Sequence, residues 1–369
     1  MANVSLAKTQ DGIREALVRA LDLIGGLGRF VGRSDRVLLK PNLNDDRVYT
    51  SPELVAALID LLRDQGAGEI AIGESTFGDA RMTEVLLHKT GFAELAARHG
   101  IALHNFNESE AVEMEVVRPL VTRTVRVARE FVEADRVINI PNMKVHYAAG
   151  ITLALKNLKG ALVGDEKRRF HEIGLSKAIV DLNNAVQADL QIADCIRSME
   201  RMGPRGGDPV QLDLLIAGES AAEVDWVGCQ VMGHSLDDVE HLKLFVEMNR
   251  IDLGQVETAG EPIAAVRRFF KKAAFESPPP ACFAVHIRDA CSACMNAFLL
   301  SCRTLGPGET EPADVYLGRL DDGRPLASAF RIAFGNCVPA ESAFDLRVQG
   351  CPPYPFALKA ALAKRAAKP

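Results

Sequence analysis

The sequence contains no apolar run approaching the ~18–20 residues that cross a bilayer, so no membrane-spanning helix is expected. Its opening residues, Met1 to Gly12, are interspersed with polar residues throughout and lack an apolar signal core, which points to a cytoplasmic protein. There is no excess of positive charge either. Forty-three Lys and Arg stand against 49 Asp and Glu, a net charge of −6. That balance argues against a nucleic-acid surface or a basic membrane patch. Internal repeats and low-complexity tracts are absent. The glycines of Gly26-Leu27-Gly28 precede a strand instead of following one, so they are not a dinucleotide-binding fingerprint.

What remains is an ordinary globular composition, 48% hydrophobic and 25% charged, over 369 residues. That length accommodates two domains. Short β-branched runs alternate with helical patterns over the first ~270 residues, the pattern of an α/β fold with an open, mostly parallel sheet and flanking helices. Strands are expected at 37–40, 69–74, 136–140, 190–194 and 212–216. Ser51-Pro52-Glu53 reads as an N-cap followed by proline at the first helical position, opening a helix that Gly66 stops after Gln65. The Pro-rich Glu276-Ser277-Pro278-Pro279-Pro280 marks a boundary between an α/β domain over 1–275 and a small cysteine-rich α/β module over 281–369. In the module, strands are expected at 315–317, 329–334 and 346–348, and a terminal helix over 355–367.

Ligands of open parallel sheets bind beyond the carboxyl ends of the strands. Here those ends carry Lys40-Pro41-Asn42, Glu74-Ser75-Thr76 and Asn142-Met143-Lys144-Val145-His146. Leu155-Lys156-Asn157-Leu158-Lys159-Gly160 and the basic run Lys167-Arg168-Arg169-Phe170-His171 follow. A single lysine at a strand end is commonly a solvated rim residue; the density of Lys144, His146, Lys156 and Asn157 favours a cleft. Lys144, His146 and Lys156 are the candidate catalytic residues. A desolvated lysine there acts as a base, and His146 shuttles a proton. Lys40, Asn42, Glu74, Asn157 and His171 are the candidate substrate-binding set, suited to a small anionic molecule. His88, His99, His104 and His234 read as surface or core residues. The Gly-rich loop from Met199 to Pro209 reads as a long connecting turn or as a loop that approaches a ligand backbone closely.

Six of the eight cysteines fall in the last quarter of the chain. In a reducing compartment such clustering favours metal ligation over disulfides. Cys291 and Cys294 form one C-x-x-C pair, while Cys337 and Cys351 have thirteen residues between them in the chain. A zinc ribbon needs two close knuckles, whereas an iron–sulfur cluster gathers thiolates from several loops. The expected ligands are Cys291, Cys294, Cys337 and Cys351, holding one [4Fe-4S] cluster, with zinc as the alternative. Cys302 is either a core thiol or a replacement for one of the four. Cys282 flanks the region, and Cys195 and Cys229 read as buried small hydrophobes. The Gly350-Cys351-Pro352-Pro353 segment resembles the cluster-binding segment of hydrogenase small subunits and a related respiratory-complex subunit.

Several pieces resemble, in order, the domain-of-unknown-function 362 family: Leu39-Lys40-Pro41-Asn42, Gly73-Glu74-Ser75, Asn142 to His146, Leu155 to Gly160, Ala193-Asp194, Gly203-Pro204 and Glu223-Val224-Asp225 ahead of Met232-Gly233. The resemblance covers roughly 35–240, and the Lys-Asn-x-Lys-Gly stretch is its most specific element. It implies an iron–sulfur protein, since members are often described so and many carry an appended ferredoxin-like module. This sequence lacks the compact ferredoxin run of four close cysteines, which places any cluster in a different module. The family is also distantly similar to the N-terminal domain of nickel-dependent lactate racemases. The cofactor-bearing motif of those enzymes has no clear counterpart, so racemase activity does not carry over.

The resulting expectation is a cytoplasmic iron–sulfur redox protein, an oxidoreductase or electron-transfer protein with a redox-protein partner. The rivals are a non-redox isomerase or lyase with structural zinc, and a non-catalytic binding or cofactor-assembly protein.

Overall fold

The computed structural model describes residues 2–77, 79–273, 279–288, 290–306, 308–318, 330–339, 344–354 and 356–366, with the Ser292 side chain left aside. Glu276, Ser277 and Pro278 of the expected boundary, Ala329 at a strand start, and Pro355 and Ala367 at the helix ends lie outside them. The chain divides into two compact units, Met1–Ala273 and Ala274–Pro369.

The first unit carries twelve strands among the described residues: β1 Val4–Lys8, β2 Val37–Lys40, β3 Ile70–Glu74, β4 Ala102–Asn105, β5 Ala111–Glu115, β6 Thr124–Ala128, β7 Arg136–Asn139, β8 Asn142–His146, β9 Gly150–Thr152, β10 Leu190–Glu200, β11 Asp208–Gly218 and β12 Thr258–Gly260. The main sheet runs β12-β1-β11-β10-β7-β2-β3-β4. From β10 to β4 every neighbouring pair on this path is parallel. β11 runs antiparallel to both β10 and β1. The expected mostly parallel sheet is therefore present.

Alternation explains the layering. Leu39, Ile72 and Ile138 pack on one face with Leu17, Leu54 and Leu58 of the helices Ile13–Leu23 and Pro52–Gln65. Leu38 and Val137, one residue out of phase, pack on the other face with Phe170, Ala178 and Leu182. Burial of both faces is why these strands read as unbroken apolar runs. The helix 52–65 forms as its caps dictate: Ser51 Oγ accepts from Leu54 N at 3.4 Å, and Gly66 closes it at φ 89°.

Two features differ from the sequence reading. The segment 142–146 is a strand, β8, where a strand-end loop was expected. It continues β7 past Pro141 and pairs with β10 from Asp194 to Met199, across an irregularity in the β10 register. The runs at 190–194 and 212–216 are the inner ends of a long antiparallel hairpin, and 201–207 is its turn. A register shift between Cys195 and Arg197 breaks the alternation that would have disclosed the longer strand.

In the second unit β13 Phe283–Arg288, β14 Ala313–Gly318, β15 Arg331–Phe334 and β16 Leu346–Val348 form a sheet in chain order, all parallel. The sequence reading missed β13. Phe298 of the helix Ser292–Arg303 meets Phe334 edge-on at 5.4 Å inside the core with Val315, Ile332 and Leu358.

Replacing the cap in the first unit tests the helix assignment. Ser51→Ala should cost about 1 kcal/mol, lowering the urea midpoint while leaving the denaturant slope unchanged.

Candidate functional site

The first-unit site is built at the carboxyl edge of the parallel strands. β2 ends at Lys40 and β3 at Glu74, so the parallel pairing brings the two side chains together: Lys40 Nζ donates to Glu74 Oε2 at 2.7 Å and to the Pro41 carbonyl at 2.9 Å. Both are buried. Burial lowers the Lys40 pKa and raises that of Glu74, each against the pull of its partner. A Cβ at Gly160 would stand 2.0 Å from Glu74 Oε1 and 2.4 Å from Lys40 Nζ, so the closing glycine of Lys-Asn-x-Lys-Gly is required by this pair.

A chain of amides links the next groups. Lys144 Nζ donates to Asn42 Oδ1 at 2.9 Å and to the Val48 carbonyl at 2.7 Å. Asn42 Nδ2 donates to Asn157 Oδ1 at 2.8 Å, and Asn157 Nδ2 to Asn139 Oδ1 at 2.7 Å. Lys40, Asn42, Glu74 and Asn157 thus come together, with their side-chain polar groups engaged by one another and by backbone carbonyls. They form the scaffold under the site.

Lys156, by contrast, has no hydrogen-bond acceptor among the described residues. Lys156 lies in the short helical turn Ala154–Asn157, whose leading amides, of Ala154 and Leu155, donate to the Asp225 carboxylate at 2.6 and 3.2 Å. Its pKa is lowered to about 7 by burial and then by Lys144. Burial likewise lowers Lys144 to about 8. His146 Nδ1 accepts from the Ala148 and Ala149 amides, both at 3.1 Å, which leaves the ring proton on Nε2. Burial, Lys156 and His171 hold His146 well below the usual imidazole range. His171 Nε2 sits 3.1 Å from Lys159 Nζ and is depressed by burial and the Lys159 charge.

Sequence reasoning left several participants out. In the helix Glu166–Ile173, buried Lys167 lies one turn from His171, which is half-buried and already in the expected set, whereas Arg168 and Arg169 pair with Glu172 and Glu166. Lys167 donates to Ser75 Oγ, and burial lowers it to about 7. Asp194 and Asp225 are raised by burial to about 6 and about 8. His241, on the helix Glu240–Asn249, is fully buried and feels the Lys156 charge; burial drives it to about 3. The repeated basic spacing 159, 167 and 171 was the available signal for the lysines. Nothing in the sequence marked His241.

The second-unit site lies at the carboxyl edge of its own sheet. Cys291 caps the helix that follows β13, Cys294 lies in its first turn, Cys337 follows β15 and Cys351 follows β16. The β15 and β16 loops are joined by Asn336 N to the Gly350 carbonyl at 3.0 Å and Gly350 N to Asn336 Oδ1 at 2.8 Å. A Cβ at Gly335 would lie 3.2 Å from Cys294 Sγ, so this loop passes directly against the thiol. The Cys294 thiol is held well above its ordinary value by a hydrogen bond with Cys291, then burial, then the charges of Cys291, Cys351 and Cys337. Cys302 is elsewhere. It sits in the last turn of the helix, eight residues or ~12 Å along the axis from Cys294, where burial and Cys282 raise it to about 12. It is a core thiol.

The lysine site has a pH signature. Lys156 moves from an ordinary 10.5 to about 7 in the folded chain. Between those values the unfolded chain holds a proton that the folded one has released, so stability is lost below the window and regained as pH rises through it. Lys156→Met should therefore stabilise the first unit near neutral pH, and the advantage should shrink by about 1 kcal/mol per pH unit toward about pH 10. Paired urea titrations check this; an advantage independent of pH would refute the lowered lysine.

Comparison with known proteins adds the following. A thylakoid-associated protein of Synechocystis is 33% identical over 242 residues, covering 61% of this chain and 73% of that protein. A Thermotoga maritima protein of known structure superposes with a TM-score of 0.40 at 15% identity, over 83% of this chain and 70% of that one. The lactate racemase apoprotein of Thermoanaerobacterium thermosaccharolyticum gives 0.43 at 13%, over 86% and 69%. Neither superposition is close enough to bear on chemistry. No helix among the described residues is long and apolar enough to cross a membrane. The model of the domain of unknown function DUF362 matches residues 37–230, and the chain belongs to that family.

Proposed function

We propose that this chain is an iron–sulfur protein that binds a small anionic molecule among the buried lysines and histidines of its first unit. One [4Fe-4S] cluster would be held by Cys291, Cys294, Cys337 and Cys351. The observation that carries the reading is the arrival of these four thiols, from three different strand ends, at one edge of a parallel sheet, with Cys294 subject to the charge of the other three. Soft thiolates from several loops suit a polynuclear iron site. One zinc ion would need all its sulfurs within about 2.3 Å. Among the described residues no group of three or more Cys, His, Asp or Glu is placed to hold a metal ion, so the reading rests on the convergence of the three loops. Bound there, the cluster would supply one-electron transfer, which makes the protein an oxidoreductase or electron carrier with a redox-protein partner and suits a reducing compartment such as the cytoplasm.

In the first unit the supporting observation is charge. Lys144, Lys156 and Lys167 are buried with lowered pKa values, and Glu74 is the one carboxylate bonded to a buried lysine of this edge among the described residues. An entering anion would restore the missing balance. Lys144 and Lys156 would then hold the anion, and His146 would present its Nε2–H as a donor.

Protein purified without oxygen should contain about four irons and four acid-labile sulfides per chain. One zinc without sulfide would overturn the cluster assignment. Cys351→Ser should lose most of the iron, whereas Cys302→Ser should keep it; the reverse pattern would refute the ligand set. For the anion site, inorganic phosphate or acetate should raise the thermal midpoint of the wild type, because a ligand that binds only the native state stabilises it. Lys156→Met should reduce that gain. Stabilisation that is absent, or unaltered by Lys156→Met, would count against the site.

A further inference from the structure

We propose that Lys156 is a nucleophile that forms a protonated imine with a small carbonyl compound carrying an anionic group, of which a 2-oxo acid is the class. The inference rests on the anion-binding reading above and goes beyond it by naming a covalent step.

Five lysines are buried at this edge, and four have acceptors: Lys40 has Glu74 and the Pro41 carbonyl, Lys144 has Asn42 and the Val48 carbonyl, Lys159 has His171, and Lys167 has Ser75. Lys156, 7% exposed, has no hydrogen-bond partner among the described residues. The groups linked to it by charge are basic: Lys144 and His146 on β8, His171 on the helix 166–173 and His241 on the helix 240–249. Asp225, on the helix Ala221–Met232, accepts from the backbone amides that lead the turn and so fixes its position.

An ammonium in such a place has no protein acceptor among the described residues and has cations around it, so the amine tends to keep its lone pair. A desolvated lysine beside other cationic groups is the arrangement that activates an amine for attack on carbonyl carbon. A plain carboxylate or phosphate would make no use of that lone pair. A 2-oxo acid would use both features, its carboxylate set among the neighbouring cations and its keto carbon offered to Nζ. In the step, the amine adds to the keto carbon. One amine proton and one proton from solvent depart with the carbonyl oxygen as water, leaving a protonated C=N bond to Lys156.

The test uses the full chain, pyruvate and sodium cyanoborohydride, with peptide mapping for the reduced adduct and calorimetry of pyruvate binding in parallel. The expected result is an adduct concentrated on Lys156, absent in Lys156→Arg. Its formation should be nearly flat from about pH 7 to pH 9, where an exposed lysine would speed up about 100-fold. Pyruvate binding without an adduct would overturn the imine while leaving the anion site standing. Neither binding nor adduct would overturn both. Adducts spread over exposed lysines at the rate seen for Lys156 would also overturn the proposal.

Discussion

Burying more lysine than carboxylate at one sheet edge is the constraint around which the first unit is organised. An unpaired charge in a low-dielectric interior costs several kcal/mol, and a group so placed gives up its charge instead. Lys40 is matched by Glu74. Lys144 reaches an amide oxygen and a carbonyl, and Lys167 a hydroxyl, which are acceptors without formal charge. Each interaction stabilises the amine as a hydrogen-bond donor without fully compensating an ammonium. The edge is therefore poised between neutral amines and an ion-binding array, and a bound anion is what would tip it.

The backbone is shaped to allow this density. Gly160 lets its strand of chain pass against the Lys40–Glu74 pair. At Gly73 a Cβ would stand 2.0 Å from the Phe106 ring, and at Gly203 2.1 Å from the Val145 carbonyl. The hairpin turn after β10 is thereby pressed onto the strand that carries Lys144 and His146. Asp225, far along the chain, fixes the turn that carries Lys156 by accepting its first two amides. The site is consequently a property of the packed unit and not of any one segment.

Much of this was legible in the sequence, and the exceptions have physical causes. Strands buried on both faces announce themselves as apolar runs, which is why 37–40, 70–74 and 136–139 were found. β8 was read as a loop because Asn142, Lys144 and His146 are polar at alternate positions, and nothing in one sequence says that such a face is buried against other lysines. The clustering of Lys144, His146 and Lys156 was visible. Asn42, Asn157, Lys40 and Glu74 could not be recognised as scaffold, because that depends on side-chain geometry across more than a hundred residues. His241 carries no local signal at all. The four cysteines were chosen by spacing, and the separation of Cys302 follows from helix rise once the helix 292–303 is known.

The two units make opposite use of one geometry. Parallel strands deliver whatever follows them to a single edge, where helix N-termini and loop amides are also gathered. In the first unit the delivered groups are chiefly amines and imidazoles, and, after burial, Lys156, His171 and Lys159 lower the affinity of His146 for a proton. In the second they are thiols, each raising the cost of ionising Cys294. Like charges assembled at close quarters are unstable until something of opposite sign enters, and the sign differs between the two edges. Under the proposed function that difference assigns the occupants: an anion where amines crowd, and a thiophilic metal cluster where thiolates do.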